Sequence, residues 1–162
     1  MEERSEYSEW LAAPCGLFCG ACSIYQAVKR GDSEFLALAA AGISEMLGLP
    51  VEAGDLNCEG CLSGLRAIQC RECLLRDCAF SKSYTHCAQC DDFPCQQIID
   101  FNNDEFAHHS EVLENINHQK KIGILKWVKD QQKRWRCPNC NNAIEWYAGQ
   151  CHHCGNVLED HF

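Results

Sequence analysis

The sequence predicts a small α-rich, metal-stapled, cysteine-rich domain followed by helices and a C-terminal β zinc ribbon, an α+β arrangement. Three observations predict it. Fifteen of the 162 residues are cysteine, and the 46% hydrophobic fraction counts those cysteines as apolar, so little is left for a core. A chain of about one domain with so thin a core needs a staple to offset its conformational entropy. Most of the cysteines stand in C-x2-C pairs, the knuckle spacing of metal ligands.

Metal is favoured over disulfides as that staple. The chain opens Met1-Glu2-Glu3-Arg4-Ser5-Glu6, with no basic stretch leading into an apolar run, so no secretory leader is expected and the cytoplasm is the expected compartment. An odd cysteine count would also leave one thiol over. The longest apolar stretch, Phe35 to Ala41, is far short of a membrane span.

Element by element, the cluster Cys15, Cys19 and Cys22 runs into a short helix through Ile24, Tyr25 and Val28 that ends near Gly31. Asp32-Ser33 offers the N-cap of a second helix, with Leu36, Ala40, Ile43 and Leu47 on one stripe and Gly48 and Pro50 as its stop. From 51 to 95 there is little periodicity and eight cysteines, so metal must organise the segment. Asp91-Asp92-Phe93-Pro94 predicts a helix start, with the proline in the first turn and the helix running through Ile98 and Phe101. Residues 105–134 read as one or two helices, with Val112, Leu113 and Ile116, then Ile122, Leu125 and Val128, as apolar stripes and a break near Asn117 or Gly123. The tail carries a β-prone stretch, Ile144-Glu145-Trp146-Tyr147, between two knuckles. The expected organisation is a cysteine-rich metal-binding domain over 11–101, a helical connector over 102–133 and a zinc ribbon over 134–160.

The tail holds the sharpest motif: Cys137-x2-Cys140, ten residues, then Cys151-x2-Cys154. Two knuckles presenting two thiolates each are expected to close a tetrahedral zinc site, with rubredoxin-type iron as the alternative ion. His152 and His153, inside the second knuckle, are expected to be exposed because four thiolates already fill the shell. In the body, chain order divides eleven cysteines into Cys15, Cys19 and Cys22; Cys58, Cys61, Cys70 and Cys73; and Cys78, Cys87, Cys90 and Cys95. The last two sets are complete by count and the first lacks a ligand, and interleaved pairings are equally allowed. All eleven are expected metal ligands, zinc being the expected ion and an iron-sulfur cluster the alternative.

Cys15-x3-Cys19-x2-Cys22 has the spacing of radical-SAM cluster ligands, but a β/α barrel of that kind needs a longer chain than this one offers. A non-catalytic or redox iron-sulfur cluster on the same three cysteines is the more natural alternative to structural zinc. Cys87 after His86 has the look of an activated thiol, yet a ligating thiolate is neutralised by its metal, and His86 is expected at the surface. His108 and His109 form no recognisable catalytic or metal spacing, and no phosphate loop, Ser-His-Asp order or HExxH motif is present.

Charge is divided unevenly. Residues 1–119 are strongly acidic, which argues against nucleic acid binding by the body, whereas 120–136 hold half of all the basic residues and two tryptophans. Lys126, Lys129, Lys133, Arg134, Trp135 and Arg136 are therefore the candidate contacts for a protein or nucleic-acid partner, with Trp135, Trp146 or Tyr147 as stacking surfaces. The plainer expectation is that Trp127 and Trp135 pack on the body while the lysines face solvent.

Cys15-Gly16-Leu17-Phe18-Cys19-Gly20-Ala21-Cys22, Cys58-Glu59-Gly60-Cys61, then Cys70, Cys73, Arg76 and Cys78, and Cys87-Ala88-Gln89-Cys90-Asp91-Asp92-Phe93-Pro94-Cys95 together resemble the cysteine-rich domain of unknown function 3795 family over residues 13 to about 101. The chain is similar to the subset that appends a zinc ribbon. The resemblance implies a metal-binding body and names no reaction; position 86 is not a cysteine position in the family's pattern. The sequence therefore reads as a metal-binding, non-enzymatic recognition or regulatory module with zinc. The alternative is an iron-sulfur redox or sensor protein with its cluster at Cys15, Cys19 and Cys22.

Overall fold

A computed structural model describes residues 9–162; the opening residues 1–6, on which the absence of a leader was read, lie outside the described residues. Six α-helices punctuated by short 3-10 turns make up the regular structure. Helix α1 spans Ser23–Arg30 and α2 spans Ser33–Leu47. The junction is set by two local devices: Gly31 takes the left-handed conformation that closes α1, and the Asp32 carboxylate accepts from Phe35 N at 3.0 Å to cap α2. Gly48, also left-handed, ends α2. Leu36 and Ala40 of α2 meet Ala27 of α1 in an apolar cluster completed by Leu56 and Ala67.

Helices α3 (Leu74–Ser81) and α4 (Gln96–Asn102) frame the cysteine-rich loops. The Phe93–Pro94 peptide is cis, and α4 starts beyond the proline with Cys95 at its N-cap. Asp92 is turned to Lys82, 2.6 Å away, rather than to the helix end. Helices α5 (Val112–Ile122) and α6 (Ile124–Arg134) are separated at Gly123, whose φ of 85° interrupts the helical backbone. Val112 and Ile116 face inward as expected, but on α6 it is Trp127 and Val128 that are buried, and Leu125 lies outside.

The expected β ribbon and the α+β class do not hold. Among the described residues there is no strand and no sheet; the tail contributes only two isolated bridges, Arg136 to Ala143 and Gln150 to Val157. The reason lies in where the backbone of the β-prone stretch is satisfied. Ile144 N donates to Trp135 O at 3.1 Å and Trp146 N to Ala21 O at 2.8 Å, so the segment is bonded to the end of α6 and to the first cysteine turn instead of to a neighbouring strand. Tyr147 then turns the chain with a φ of 63°. Ile144 and Trp146 thereby enter a core shared with Phe18, Trp127, Trp135 and Leu158. No helix among the described residues is long and apolar enough to cross a membrane.

Candidate metal centre

Both tail knuckles are built by the same backbone pattern. Cys137 N donates to Asn142 O and Cys151 N to Asn156 O, each at 2.8 Å; Asn141 N returns to Cys137 O at 2.9 Å and Gly155 N to Cys151 O at 2.8 Å. The turn needs one left-handed residue, supplied by Asn141 (φ 60°) in the first knuckle and Gly155 (φ 72°) in the second.

These turns bring the four thiols together. Cys137 Sγ lies 3.7 Å from Cys154 Sγ, and Cys140 Sγ lies 3.6 Å from Cys151 Sγ. All four sulfurs fall within 4.8 Å of one another, and the group can hold a metal ion. A tetrahedral ion with sulfur at about 2.3 Å sets its ligands about 3.8 Å apart, which is the spacing observed. Asparagine side chains prepare two of the thiols for ligation. Asn142 donates to Cys140 Sγ at 3.4 Å and pulls that thiol down to about 6, and Asn139 donates to Cys154 Sγ at 3.5 Å and lowers it in the same way. Cys151 is pushed up to about 11 by burial, a penalty a bound cation would reverse. His152 and His153 are exposed, and His152 Nε2 contacts the buried Glu145 carboxylate at 2.7 Å instead of joining the sulfurs.

The body thiols are arranged differently. Among the described residues, these four tail cysteines are the one group of three or more His, Cys, Asp or Glu side chains found gathered closely enough to hold a metal ion. Cys15, Cys19 and Cys61 nevertheless share one packed cluster, from loops distant in sequence. Burial holds Cys15 well above its ordinary value against an opposing backbone hydrogen bond at Leu17, and the thiols of Cys61, Cys73 and Cys87 add to the rise. Cys19 is raised by burial and by Cys61, Cys22 and Cys15, while accepting a hydrogen bond from the backbone N–H of Cys61. Cys22 stands at the N-cap of α1 with no side-chain capping hydrogen bond, and burial raises its thiol. Cys70 faces Cys22, Cys61 and Cys58. Cys87 is pushed up to about 12, first by burial and then by the neighbouring thiols, Cys95 foremost. The first cysteine turn and the segment between α3 and α4 are tied by Cys87 N donating to Pro14 O at 2.9 Å.

Two features escaped sequence reasoning. Arg76 is 4% exposed, and its guanidinium donates to Cys70 O at 2.8 Å and Arg71 O at 2.5 Å and faces Cys61 Sγ at 3.9 Å. Two carbonyl oxygens thus accept from this buried cation, and the Cys61 thiol lies beside it. The second is an aromatic knot: His108 stacks on Trp146 at 4.3 Å, its Nδ1 lies 2.6 Å from Tyr147 Oη, and His109 Nδ1 contacts Asp104 at 2.7 Å. Nothing in local spacing joins residues 108 and 147. His86 is neither ligand nor surface residue; it is 3% exposed, with Nε2 3.1 Å from Ala12 O and Nδ1 2.9 Å from Thr85 Oγ1.

Of the candidate partner contacts, Lys126, Lys129, Lys133 and Arg134 are exposed on α6, and Arg134 is engaged by Glu111 at 2.5 and 2.9 Å. Arg136 donates to Gln132 O and Asn141 O. Trp135 (2% exposed) and Trp146 (9%) are used inside the fold and present no stacking surface, which leaves Tyr147. A cleft of about 130 Å³ between Leu11, Phe18, Tyr25 and Trp135 is smaller than the roughly 300 Å³ at which small-molecule sites begin.

Sequence-family comparison matches residues 11–100 to the family described as "Protein of unknown function (DUF3795)". Comparison with curated proteins and with solved structures finds no match in either.

Proposed function

Since the chain belongs to the DUF3795 family across most of its length, we propose that it is a metal-binding protein whose tail holds one zinc as a structural staple and which works as a non-enzymatic recognition or regulatory module. The observation that carries the reading is the tail sulfur geometry, with cross-knuckle separations of 3.6 and 3.7 Å matched to a single tetrahedral ion. Zinc would fix the position of the loop between the knuckles and, through Trp146 and Ile144, lock the tail onto the first cysteine turn. Thiolate ligation on this scale fits a reducing compartment, the cytoplasm.

Exposed Lys126, Lys129 and Lys133 on one side of α6 are the contact surface of this reading. Because Trp135 and Trp146 are buried, an acidic protein surface fits it better than a single nucleic-acid strand, which needs stacking platforms. Salt-sensitive association lost on reversing these three charges would support the contact; binding indifferent to salt would refute it.

Elemental analysis of the full chain and cobalt substitution test the tail. The expected result is a tetrathiolate cobalt spectrum lost, together with one metal equivalent, in Cys137→Ser and in Cys154→Ser. Unchanged metal content in both variants would overturn the assignment.

A second reading, an iron-sulfur protein with its cluster at Cys15, Cys19 and Cys22, would be supported by iron and acid-labile sulfide in the chain purified without oxygen.

A further inference from the structure

We propose that α2 of one chain docks on α6 of a second copy of the same chain. The exposed apolar face of α2 seats on Leu125 and on the stems of Lys126 and Lys133, and Glu34 and Glu45 meet the two ammonium groups. This rests on the contact reading given above for the α6 lysines and deepens it, by naming the acidic protein surface they meet.

Helix α2 is apolar on every side. Leu36 and Ala40 are buried against Ala27 and Leu56, yet Leu38 is 71% exposed and Met46 58%, with Ala41 and Leu49 exposed beside them. A Cβ placed on Gly42, in the middle of that stripe, would meet nothing within 4 Å, so another helix can approach there. A helix with apolar residues all round is ordinarily covered all round, and a bare stripe of this kind marks a docking surface. Glu34 and Glu45, both exposed, stand at its two ends, three turns and about 16 Å apart. No lysine or arginine lies between Gly31 and Leu65. Without cations the face fits neither an anionic lipid surface nor a nucleic acid, both of which take basic faces.

The occupant must pair apolar surface with basic flanks, and α6 presents such a face. Leu125 is 49% exposed, and Lys126 and Lys133 are exposed two turns and about 10 Å apart on one stripe. Their stems add apolar surface, and their flexible reach covers the difference from the carboxylate spacing. Among the described residues, no ion pair holds Glu34, Glu45, Lys126 or Lys133. Docking between copies also gives a use to the uneven charge of the chain, acidic up to residue 119 and basic beyond it. Pairing α2 with α2 would gather carboxylates with no cation among them. Area sets the strength. The 15 residues of α2 span about 22 Å, and one helix-on-helix contact falls short of the roughly 800 Å² per partner of stable complexes, so the association is weak. Because the two faces differ, the contact closes a pair when made twice about a two-fold axis and extends a chain otherwise.

Sedimentation equilibrium of the full chain, kept reduced so that thiols form no cross-links, tests the contact. The average mass is expected to rise above one chain as concentration approaches about 100 µM at about 50 mM salt, and to return to one chain at about 500 mM salt. Glu34→Lys with Glu45→Lys, and Lys126→Glu with Lys133→Glu, should each weaken self-association about tenfold or more, because each double variant carries like charge on both faces. Mixed in equal amounts, the two variants should associate again, since both contacts then join opposite charges. A lysine-reversed chain that self-associates like the parent would overturn α6 as the seat, and a mixture that stays monomeric would overturn the charge pairing. Leu38→Ser keeps every charge and should also weaken the association; an unchanged mass would overturn the apolar contact. A parent chain that is monomeric throughout would overturn the docking itself. Salt-sensitive binding of poly-glutamate, lost in the lysine-reversed chain, would then show that the basic face still stands by itself. Retained tail metal shows that a variant has folded.

Discussion

The guanidinium of Arg30 lies 2.9 Å from the carboxylate of Glu145, joining the last residue of α1 to the loop between the tail knuckles across 115 positions of chain. Glu145 is 4% exposed at its side chain, and its other oxygen lies 2.7 Å from His152 Nε2. The pair therefore fixes the tail to the body beside the candidate zinc site. Removing the charge of a buried carboxylate leaves its partner uncompensated. Glu145→Gln is expected to destabilise the fold by about 1–3 kcal/mol in denaturant titration, discounted for the partial exposure of Arg30. Lys in place of Arg30 should recover only part of a loss of that kind, because the planar fork is gone.

Trp127 is completely buried, edge-on to Phe18 with ring centroids 6.1 Å apart, and its indole N–H has no hydrogen-bond partner among the described residues. Trp127→Ala should cost about 3–5 kcal/mol through the cavity it opens. Trp127→Phe should cost less than half of that, since it also removes an unpartnered donor. Equal losses in the two variants, measured by urea unfolding, would show that packing volume does not dominate there.

Gly16 occupies a φ of 90°, and a Cβ placed on it would meet Ile116 Cγ1 at 2.7 Å and Val112 O at 3.1 Å. Close packing of the first cysteine turn on α5 thus requires glycine. Gly16→Ala should destabilise by about 2 kcal/mol, combining left-handed strain with overpacking. Thermal unfolding measures it, and body metal content should fall while tail zinc is retained.

His108 is held down to about 4 from its ordinary value of 6.5, first by burial and then by neighbouring His109, against an opposing pull from Asp104. Its neutral ring is stacked on Trp146 and bonded to Tyr147. The unfolded chain binds the proton more readily than the fold, so the contribution of His108 is complete above about pH 6.5 and is lost as pH falls toward 4. His108→Phe, which cannot titrate, should differ most from the parent at neutral pH, and the difference should shrink over that window. A difference independent of pH between 6.5 and 4 would contradict the assignment.

Stripping the tail metal with a chelator should release Trp146 and Ile144 from the shared core, because the knuckles that aim this loop are closed by ligation. The expected readout is a red shift of tryptophan emission, reproduced in Cys137→Ser without chelator. An emission spectrum unchanged by both treatments would show that the tail docks without its metal.

Much of the helical frame was legible in the sequence, because its determinants are local. Gly31, Asp32 and Gly48 delimit α1 and α2 by φ preference and capping, and Gly123 divides α5 from α6. The tail site was legible for the same reason: each knuckle is a short turn whose sulfurs must converge, and one loop suffices to bring the two turns together. The helix start at Pro94 and the inward place of Leu125 were misread, since Asp92 is taken by Lys82 and α6 turns Trp127 to the core.

By itself, then, the sequence determined that thiols replace much of an apolar core, where the first helices begin and end, and which four cysteines close the tail. Only the tertiary structure decided that the tail lacks a strand, because Ile144 and Trp146 take their backbone partners from Trp135 and Ala21. It also decided that Cys15, Cys19 and Cys61 share one packed cluster, that Arg76 is buried beside the Cys61 thiol, and that His108 meets Tyr147. Relations such as His108 to Tyr147 and Ala21 to Trp146 join residues 39 and 125 positions apart. Spacing sets how far a side chain is from its near neighbours, whereas pairings over that range are chosen by which apolar faces pack together and which buried groups must find a partner.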